Sequence, residues 1–339
     1  MSTYREPCCW WPIGHLRGWK GRSGFGAKSS WRDVLVGLPG EILRKKTIVL
    51  TGATSGIGRE TLRAFAYTGA FIIIGVRDEA RAIPIANELM SQTGSTIRVL
   101  PLDLGAIDSV HSFAEAIFAQ NRKVDILVNN AGLLPCPYND ALQRDELWHV
   151  NFVGHYTLTQ RLLPMLARGA RVVNVTSEVY RFSYRGGVRW GPTIDDKEGY
   201  DAVKSYAQSK LALILWTHDQ GEKLSSDPRE IQFFAVHPGS VKTEASERAR
   251  NSSGWRGAIL NCIGAPFVKS LECGAATTVY CALHPTARSW NHFGLRYFAN
   301  CNPRRVNKVA ADPVLARRVV QMAETTRNTE SIATWNTNT

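Results

Sequence analysis

Apolar residues follow two rhythms along this chain. Short continuous runs at 47–51, 70–76, 96–102, 124–128, 171–176 and 231–236 read as strands. Their polar positions do not alternate strictly, which fits a sheet covered on both faces. Between them lie longer stretches in which apolar positions recur every three or four residues. The first carries Ile57, Leu62, Phe65 and Ala66 on one side. Others cover 79–93, 106–120, 143–168 and 201–225, and these read as helices.

Strands alternating with helices predict βαβ units and a parallel sheet. The expected fold class is therefore α/β: a doubly wound, mainly parallel sheet of about seven strands with helices on both faces, in a single domain. The pattern over 242–285 is helical but irregular, and 294–299 could be a last strand. Residues 1–46 read as an extension rather than core, with 14–30 biased toward Gly, Ser and Lys/Arg as poorly ordered segments are. Residues 31–43 are amphipathic enough to dock on something. The expected division is thus an extension at 1–46, a domain at 47–325 and a polar, frayed tail at 326–339.

Composition changes this picture in one respect. The 339 residues are 44% hydrophobic and 21% charged, ordinary for a globular chain, but carry a net charge of +12. Half of that excess falls in residues 1–46, which hold nine Lys/Arg, three Asp/Glu and four of the ten Trp. No basic motif with interleaved aromatics recurs in the body, so nucleic acid is not an expected partner. No apolar run reaches the length of a membrane-spanning helix. The seven cysteines are an odd count without zinc-like spacing, which points to reduced thiols and no metal.

Chemistry enters at the end of the first predicted strand. Gly52, Thr54, Ser55, Gly56, Ile57 and Gly58 form a Gly-rich turn that opens a helix. Such a turn brings backbone N–H groups and a helix N-terminus toward a pyrophosphate, so these residues are candidates for a dinucleotide site. A carboxylate at the end of the second strand would accept from the ribose of NAD, but Val76 stands there and Arg77 follows. A guanidinium pairs with a 2′-phosphate, so NADP(H) is favoured over NAD(H). Under the other reading Arg77 is a solvated loop charge and Asp78 approaches the ribose. Farther on, Tyr206 and Lys210 lie four residues apart in a predicted helix, hence on one face. A nearby ammonium stabilises a phenolate, and the pair can then exchange a proton with an alcohol or carbonyl oxygen.

The order of these motifs resembles the short-chain dehydrogenase/reductase family. The resemblance rests on Thr51-Gly52, Gly56-Ile57-Gly58, Asp103, Asn129-Asn130-Ala131-Gly132, Asn151, Ser177, Tyr206 with Lys210, and His237-Pro238-Gly239. Further runs at 75–78, 151–155, 206–212 and 297–301 are similar to the branch of retinol dehydrogenases and the WW-domain oxidoreductase, although no WW domain is evident. The resemblance implies a Rossmann-like fold and a catalytic set of Tyr206, Lys210, Ser177 and Asn151. Tyr206 would be the acid/base, with Lys210 lowering its pKa and holding the nicotinamide ribose. Ser177 would orient the substrate oxygen, and Asn151 would bind a water linking Lys210 to solvent. Asp103 and Leu104 would lie at the adenine, and Asn129 would support the pocket on that side. Asn130, Ala131 and Gly132 would join the cofactor site, with Pro238, Gly239, Val241 and Thr243 toward the nicotinamide carboxamide.

One stretch departs from the branch. The run 139–145 replaces a Thr-x-Asp-Gly turn and leaves the loop conformation open. The substrate side would be walled by Leu133, Leu134, Phe182, Tyr184, Trp190, Trp255 and Phe267, under a long lip between Ser177 and Tyr206. These imply a small lipophilic carbonyl or alcohol: retinoid-, steroid- or aldehyde-like. His155 reads as structural. The alternative reading is a non-catalytic NADP(H)-binding scaffold or sensor of the same fold. A homodimer and a peripheral membrane contact through residues 1–46 are compatible with the sequence. The expected location is cytoplasmic, with association at a membrane surface and a mitochondrial location as alternatives.

Overall fold

The structure, a computed structural model, describes residues 19–190, 194–241, 268–292 and 294–337, with side chains to Thr329. Two short helices, α1 (Trp31–Leu35) and α2 (Gly40–Arg44), precede strand β1 (Thr47–Thr51). The chain continues through α3 (Gly56–Ala66), β2 (Phe71–Val76), α4 (Glu79–Thr93), β3 (Thr96–Pro101), α5 (Ile107–Phe118) and β4 (Val124–Asn129). A short helix α6 (Glu146–Trp148), a π-turn (His149–Val153) and α7 (Gly154–Leu162) lead to β5 (Leu166–Val175). After a 3₁₀ turn (Glu178–Phe182) come α8 (Ala202–Lys223), β6 (Gln232–His237), α9 (Leu271–Leu283), α10 (Pro285–His292), β7 (Tyr297–Ala299), β8 (Asn302–Pro303) and α11 (Pro313–Thr337).

The sheet runs β3-β2-β1-β4-β5-β6-β7-β8. The first seven strands are parallel, and their order reverses between β1 and β4, the switch point of a doubly wound sheet. The eighth strand is an addition to the expected seven and pairs antiparallel with β7. Asn300 and Cys301 take positive φ (54° and 60°) to make this tight reversal. A strand of two residues carries no periodicity for a sequence to show.

Alternate residues of each strand feed two cores. Val49, Ile73, Leu127, Val172 and Phe233 face α5, α7, α8 and α11. Ile48, Leu50, Ile72, Val128 and Val236 face α1, α3, α4 and α9. The strands therefore read as continuously apolar because both sides are covered.

Three expected stretches fold differently. The helix expected over 143–168 is interrupted by the π-turn and ends at Leu162, and β5 already begins at Leu166. Part of the front segment packs on the domain: Trp31 and Val34 are buried among α3 and α9 residues. Phe25 lies edge-on to Tyr280 and His284, while Asn302 accepts from Ser23 N–H and donates to the Phe25 carbonyl. Residues 19–30 are held by these contacts rather than by any apolar periodicity of their own. At the other end, α11 continues through Thr337, across the position where a frayed tail is expected. Its N-terminal half packs on α8, with Leu315, Val319 and Val320 buried.

Candidate active site

The ends of β1, β4, β5 and β6 bring the predicted residues to one edge of the sheet. After β1 the chain turns at Gly52, whose φ is +69°. Gly58, one turn into α3, lies against the Gly52 carbonyl; a Cβ there would sit 2.1 Å from that oxygen. Only hydrogen fits, so the first turn of α3 is drawn close to the strand end. Ser55 is the N-cap residue but its hydroxyl makes no capping bond. The first N–H groups of α3 thus keep their capacity for an anion. Asn130 reaches back from β4 and donates to the carbonyls of Thr51 (2.8 Å) and Gly52 (3.1 Å), fixing the turn.

Arg77 follows β2, beside the glycine turn, because Gly75 pairs with Thr51. It is exposed and makes no ion pair or hydrogen bond among the described residues. Asp78 is committed elsewhere: its carboxylate caps α4 by accepting from Arg81 N–H at 3.0 Å. Asp103 follows β3, and its carboxylate accepts from Gly105 N–H at 2.9 Å; Leu104 beside it is buried. Arg77, Asp78 and Asp103 thus follow β2 and β3 on the same side of the sheet as the glycine turn after β1.

Asn129 is not at a pocket. It is fully buried and donates to Thr159 (3.0 Å) and Asn174 (2.8 Å), and Asn174 donates to Thr217 (2.9 Å). This chain of amides ties β4 to α7, β5 and α8 within the core. Its burial is tolerable because most of its polar groups are paired.

The four residues expected to be catalytic come together beyond β4 and β5. Ser177 follows β5 and caps the 3₁₀ turn, its hydroxyl accepting from Val179 N–H at 3.3 Å. Lys210, one helical turn beyond Tyr206, is buried and donates to the Val175 carbonyl at 3.1 Å. Its Nζ lies 5.7 Å from the centre of the Tyr206 ring. Thr176 Oγ1 donates to the Lys210 carbonyl at 2.8 Å, locking α8 to the strand end. Burial pushes the Tyr206 phenol up to about 12 and the Lys210 ammonium down to about 8. In the free protein burial sets the direction of both shifts, since loss of water disfavours the charged form of each group. The Ser177 hydroxyl acts the other way on Tyr206 and favours its phenolate.

Asn151 sits in the π-turn. Its side chain accepts from Leu133 N–H (2.7 Å) and donates to the Leu133 carbonyl (3.1 Å) and the Ser209 hydroxyl (3.2 Å). Gly132 lies where Asn151 and Lys210 converge: a Cβ there would be 3.2 Å from Asn151 Oδ1 and 3.4 Å from Lys210 Nζ. The β4 loop, the π-turn and α8 therefore meet at one point. His155, read from sequence as structural, lies beside Asn151 and is buried. Its spacing of four residues from Asn151 was the one available signal.

Beyond β6, Pro238 is buried and Gly239 lies under the Lys269 side chain, whose Nζ donates to Asn300 at 2.6 Å. Val241 pairs with Lys269 and packs on Gly274 of α9. Thr243, Trp255 and Phe267 lie outside the described residues.

The expected apolar wall is only partly assembled. Leu133 and Trp190 pack on the core, with the Arg318 guanidinium 4.0 Å from the Trp190 ring. Tyr184 is engaged by its hydroxyl with the Asp201 backbone. Phe182 and Leu134 are exposed, at 64% and 38%. The lip is tied down at Asp195, which accepts from His149 (2.9 Å) and from Asp145 N–H (3.0 Å). The departing run 139–145 closes as a turn in which Asn139 pairs with Arg144, and Asp145 then caps α6. No cluster of His, Cys, Asp and Glu able to hold a metal occurs among the described residues. Nor is any helix among them long and apolar enough to cross a membrane.

The profile described as short chain dehydrogenase matches residues 46–191. A chloroplastic short-chain dehydrogenase TIC 32 A from Brassica napus is 34% identical over 90% of this chain and 95% of its own length. Human retinol dehydrogenase 12 is 35% identical over 84% and 85%, respectively. Human WW domain-containing oxidoreductase is 36% identical over 78% of this chain but only 64% of its own. Among solved structures, L-sorbose reductase from Gluconobacter frateurii, complexed with NADPH and L-sorbose, matches in fold. Its TM-score is 0.57 at 20% identity, covering 76% of this chain and 95% of that one.

Proposed function

The chain belongs to the short-chain dehydrogenase family, and we propose that it is an NADP(H)-dependent oxidoreductase acting on a lipophilic carbonyl or alcohol. The observation that carries this reading is the Lys210 ammonium buried one helical turn from Tyr206, its Nζ 5.7 Å from the centre of the phenol ring, with Ser177 at the end of β5 acting on the same phenol. Relatives named as retinol dehydrogenase and a fold neighbour complexed with NADPH support it.

The residues present fit the cofactor. Gly52, Thr54, Ser55, Gly56, Ile57 and Gly58 would hold the pyrophosphate against the free N–H groups of α3. Arg77 would pair with a 2′-phosphate, while Asp78 is already used as a cap and has less to offer a ribose. Asp103, Leu104, Asn130, Ala131 and Gly132 would line the rest of the dinucleotide, and Pro238, Gly239, Val241 and Thr243 the nicotinamide end. When bound, NADP(H) supplies or accepts the hydride.

The chain's own groups manage the oxygen and its proton. Ser177 and Tyr206 would both hydrogen-bond the substrate oxygen, so that charge developing there meets two hydroxyl donors. With a pKa near 12, the phenol is protonated at neutral pH and ready to give its proton to a forming alkoxide. Lys210 would then stabilise the phenolate left behind. The Asn151 clamp on Leu133 holds the loop that carries Gly132 against Lys210.

The test is NADPH oxidation by purified protein over a panel of retinoid, steroid and medium-chain carbonyls, with Tyr206→Phe alongside. Turnover by the native chain well above the variant on at least one substrate is expected. Equal rates across the panel would overturn the enzyme reading and favour a cofactor-binding scaffold.

A further inference from the structure

His155 lies in the first turn of α7, wholly enclosed by protein. Its Nδ1 is 3.0 Å from the carbonyl oxygen of Asn151 and its Nε2 is 3.0 Å from Thr51 Oγ1. A carbonyl can only accept, so the proton must sit on Nδ1. Nε2 is then a lone pair, and the Thr51 hydroxyl gives it its single hydrogen. The same hydroxyl oxygen accepts from Asn130 N–H and Ala131 N–H, both at 2.9 Å. The Val128 carbonyl, at 3.5 Å from Thr51 Oγ1, is too far to compete for that hydrogen.

We propose that His155 is a positioning residue whose neutral imidazole clamps the Asn151 carbonyl to the Thr51 hydroxyl. The clamp keeps the π-turn of the catalytic site in register with the loop that would hold the dinucleotide. It rests on the reading of this chain as an NADP(H)-dependent reductase.

The reasons are geometric. A π-turn is a costly interruption of a helix and persists only where surroundings hold it. Here the Asn151 side chain is already fully used on Leu133 and Ser209, so it cannot also anchor its own backbone. The imidazole reaches that backbone from four residues on. Thr51 ends β1, where the glycine turn begins, and Asn130 and Ala131 begin the loop after β4. One side chain therefore joins three elements that must stay aligned for hydride and proton to move between the same two molecules. Burial holds the imidazole pKa near 3, with the Lys210 charge acting in the same direction, so the clamp stays neutral at working pH.

Two half-mimics separate its two bonds. In His155→Asn the amide can still donate to Asn151 but cannot reach Thr51. In His155→Gln the far oxygen can accept from Thr51 while the donor to Asn151 is lost. The expected split is about tenfold weaker NADPH binding with near-native kcat for Asn, and about tenfold lower kcat with near-native NADPH binding for Gln. NADPH affinity is read by fluorescence titration, without substrate, and melting temperature is followed for each variant. ¹⁵N-histidine spectra of the native chain, with the His155→Gln spectrum subtracted, should show one resonance of the Nδ1–H tautomer that does not titrate between about pH 5 and 8. Parallel losses in both quantities that simply track melting temperature would overturn the proposal. So would an Nε2–H tautomer or an imidazole titrating in that range. A native chain that binds NADPH yet reduces nothing in the panel would overturn the reductase reading instead, leaving the binding and tautomer arms to decide the clamp.

Discussion

Trp31 donates its indole N–H to the Glu60 carboxylate at 2.7 Å, and both side chains are buried. This bond ties the basic front segment to α3, the helix whose N-terminus faces the cofactor cradle. Arg63 pairs with the same carboxylate at 3.3 Å, so Glu60 is held from two sides. Replacing Trp31 with Ala should cost about 3–5 kcal/mol, the usual toll of deleting a buried aromatic. Chain denaturation in urea checks this. Deleting residues 1–46 should cost more than Trp31→Ala, because it also removes Val34 and Leu43 from the core.

Tyr206→Phe removes the proton donor and leaves the ring. Turnover should fall by about 10²–10⁴-fold, the usual span for loss of a general acid. NADPH affinity should change little, because no hydroxyl contact to the phosphates is lost. Steady-state rates and a binding titration together distinguish this from misfolding.

Lys210 offers a prediction in pH. Its pKa falls from 10.5 in the unfolded chain to about 8 in the fold, because burial penalises the charge. Between those values the unfolded chain binds more protons, so stability should rise with pH across that window. Below about 8 both forms are charged and the penalty is at its full size. Lys210→Met should therefore raise stability near pH 7 by about 3 kcal/mol and flatten the rise, while abolishing turnover. Melting curves from pH 7 to 10 would show it. A variant that is less stable at neutral pH would contradict the burial argument.

Arg77→Ala tests the choice of cofactor. A charge-assisted bond to a 2′-phosphate is worth about 1.5–3 kcal/mol. The KM for NADPH should rise by about tenfold or more and that for NADH should stay nearly constant. Equal effects on both would return Arg77 to the role of a solvated loop charge.

Local pattern was enough for much of this protein. Runs of β-branched residues separated by amphipathic stretches specify a parallel sheet because both faces of each strand must be apolar. The glycine turn was legible because only glycine permits both the positive φ at Gly52 and, at Gly58, packing on the Gly52 carbonyl so close that a Cβ would clash with it. Tyr206, Lys210, Ser177 and Asn151 stood out through their order along the chain. What the sequence could not assign were roles that depend on a distant partner. Asn129 was expected to support the adenine-side pocket, but its partners Thr159 and Asn174 come from other elements and could not be named from its position. Trp31 looked like part of an appendage, but its carboxylate partner lies 29 positions on. His155 looked structural because its bond to Thr51 spans 104 positions. Burial, too, belongs to the tertiary structure: it is what moves Tyr206 and Lys210 in opposite directions, and no spacing in the sequence encodes how much water is lost.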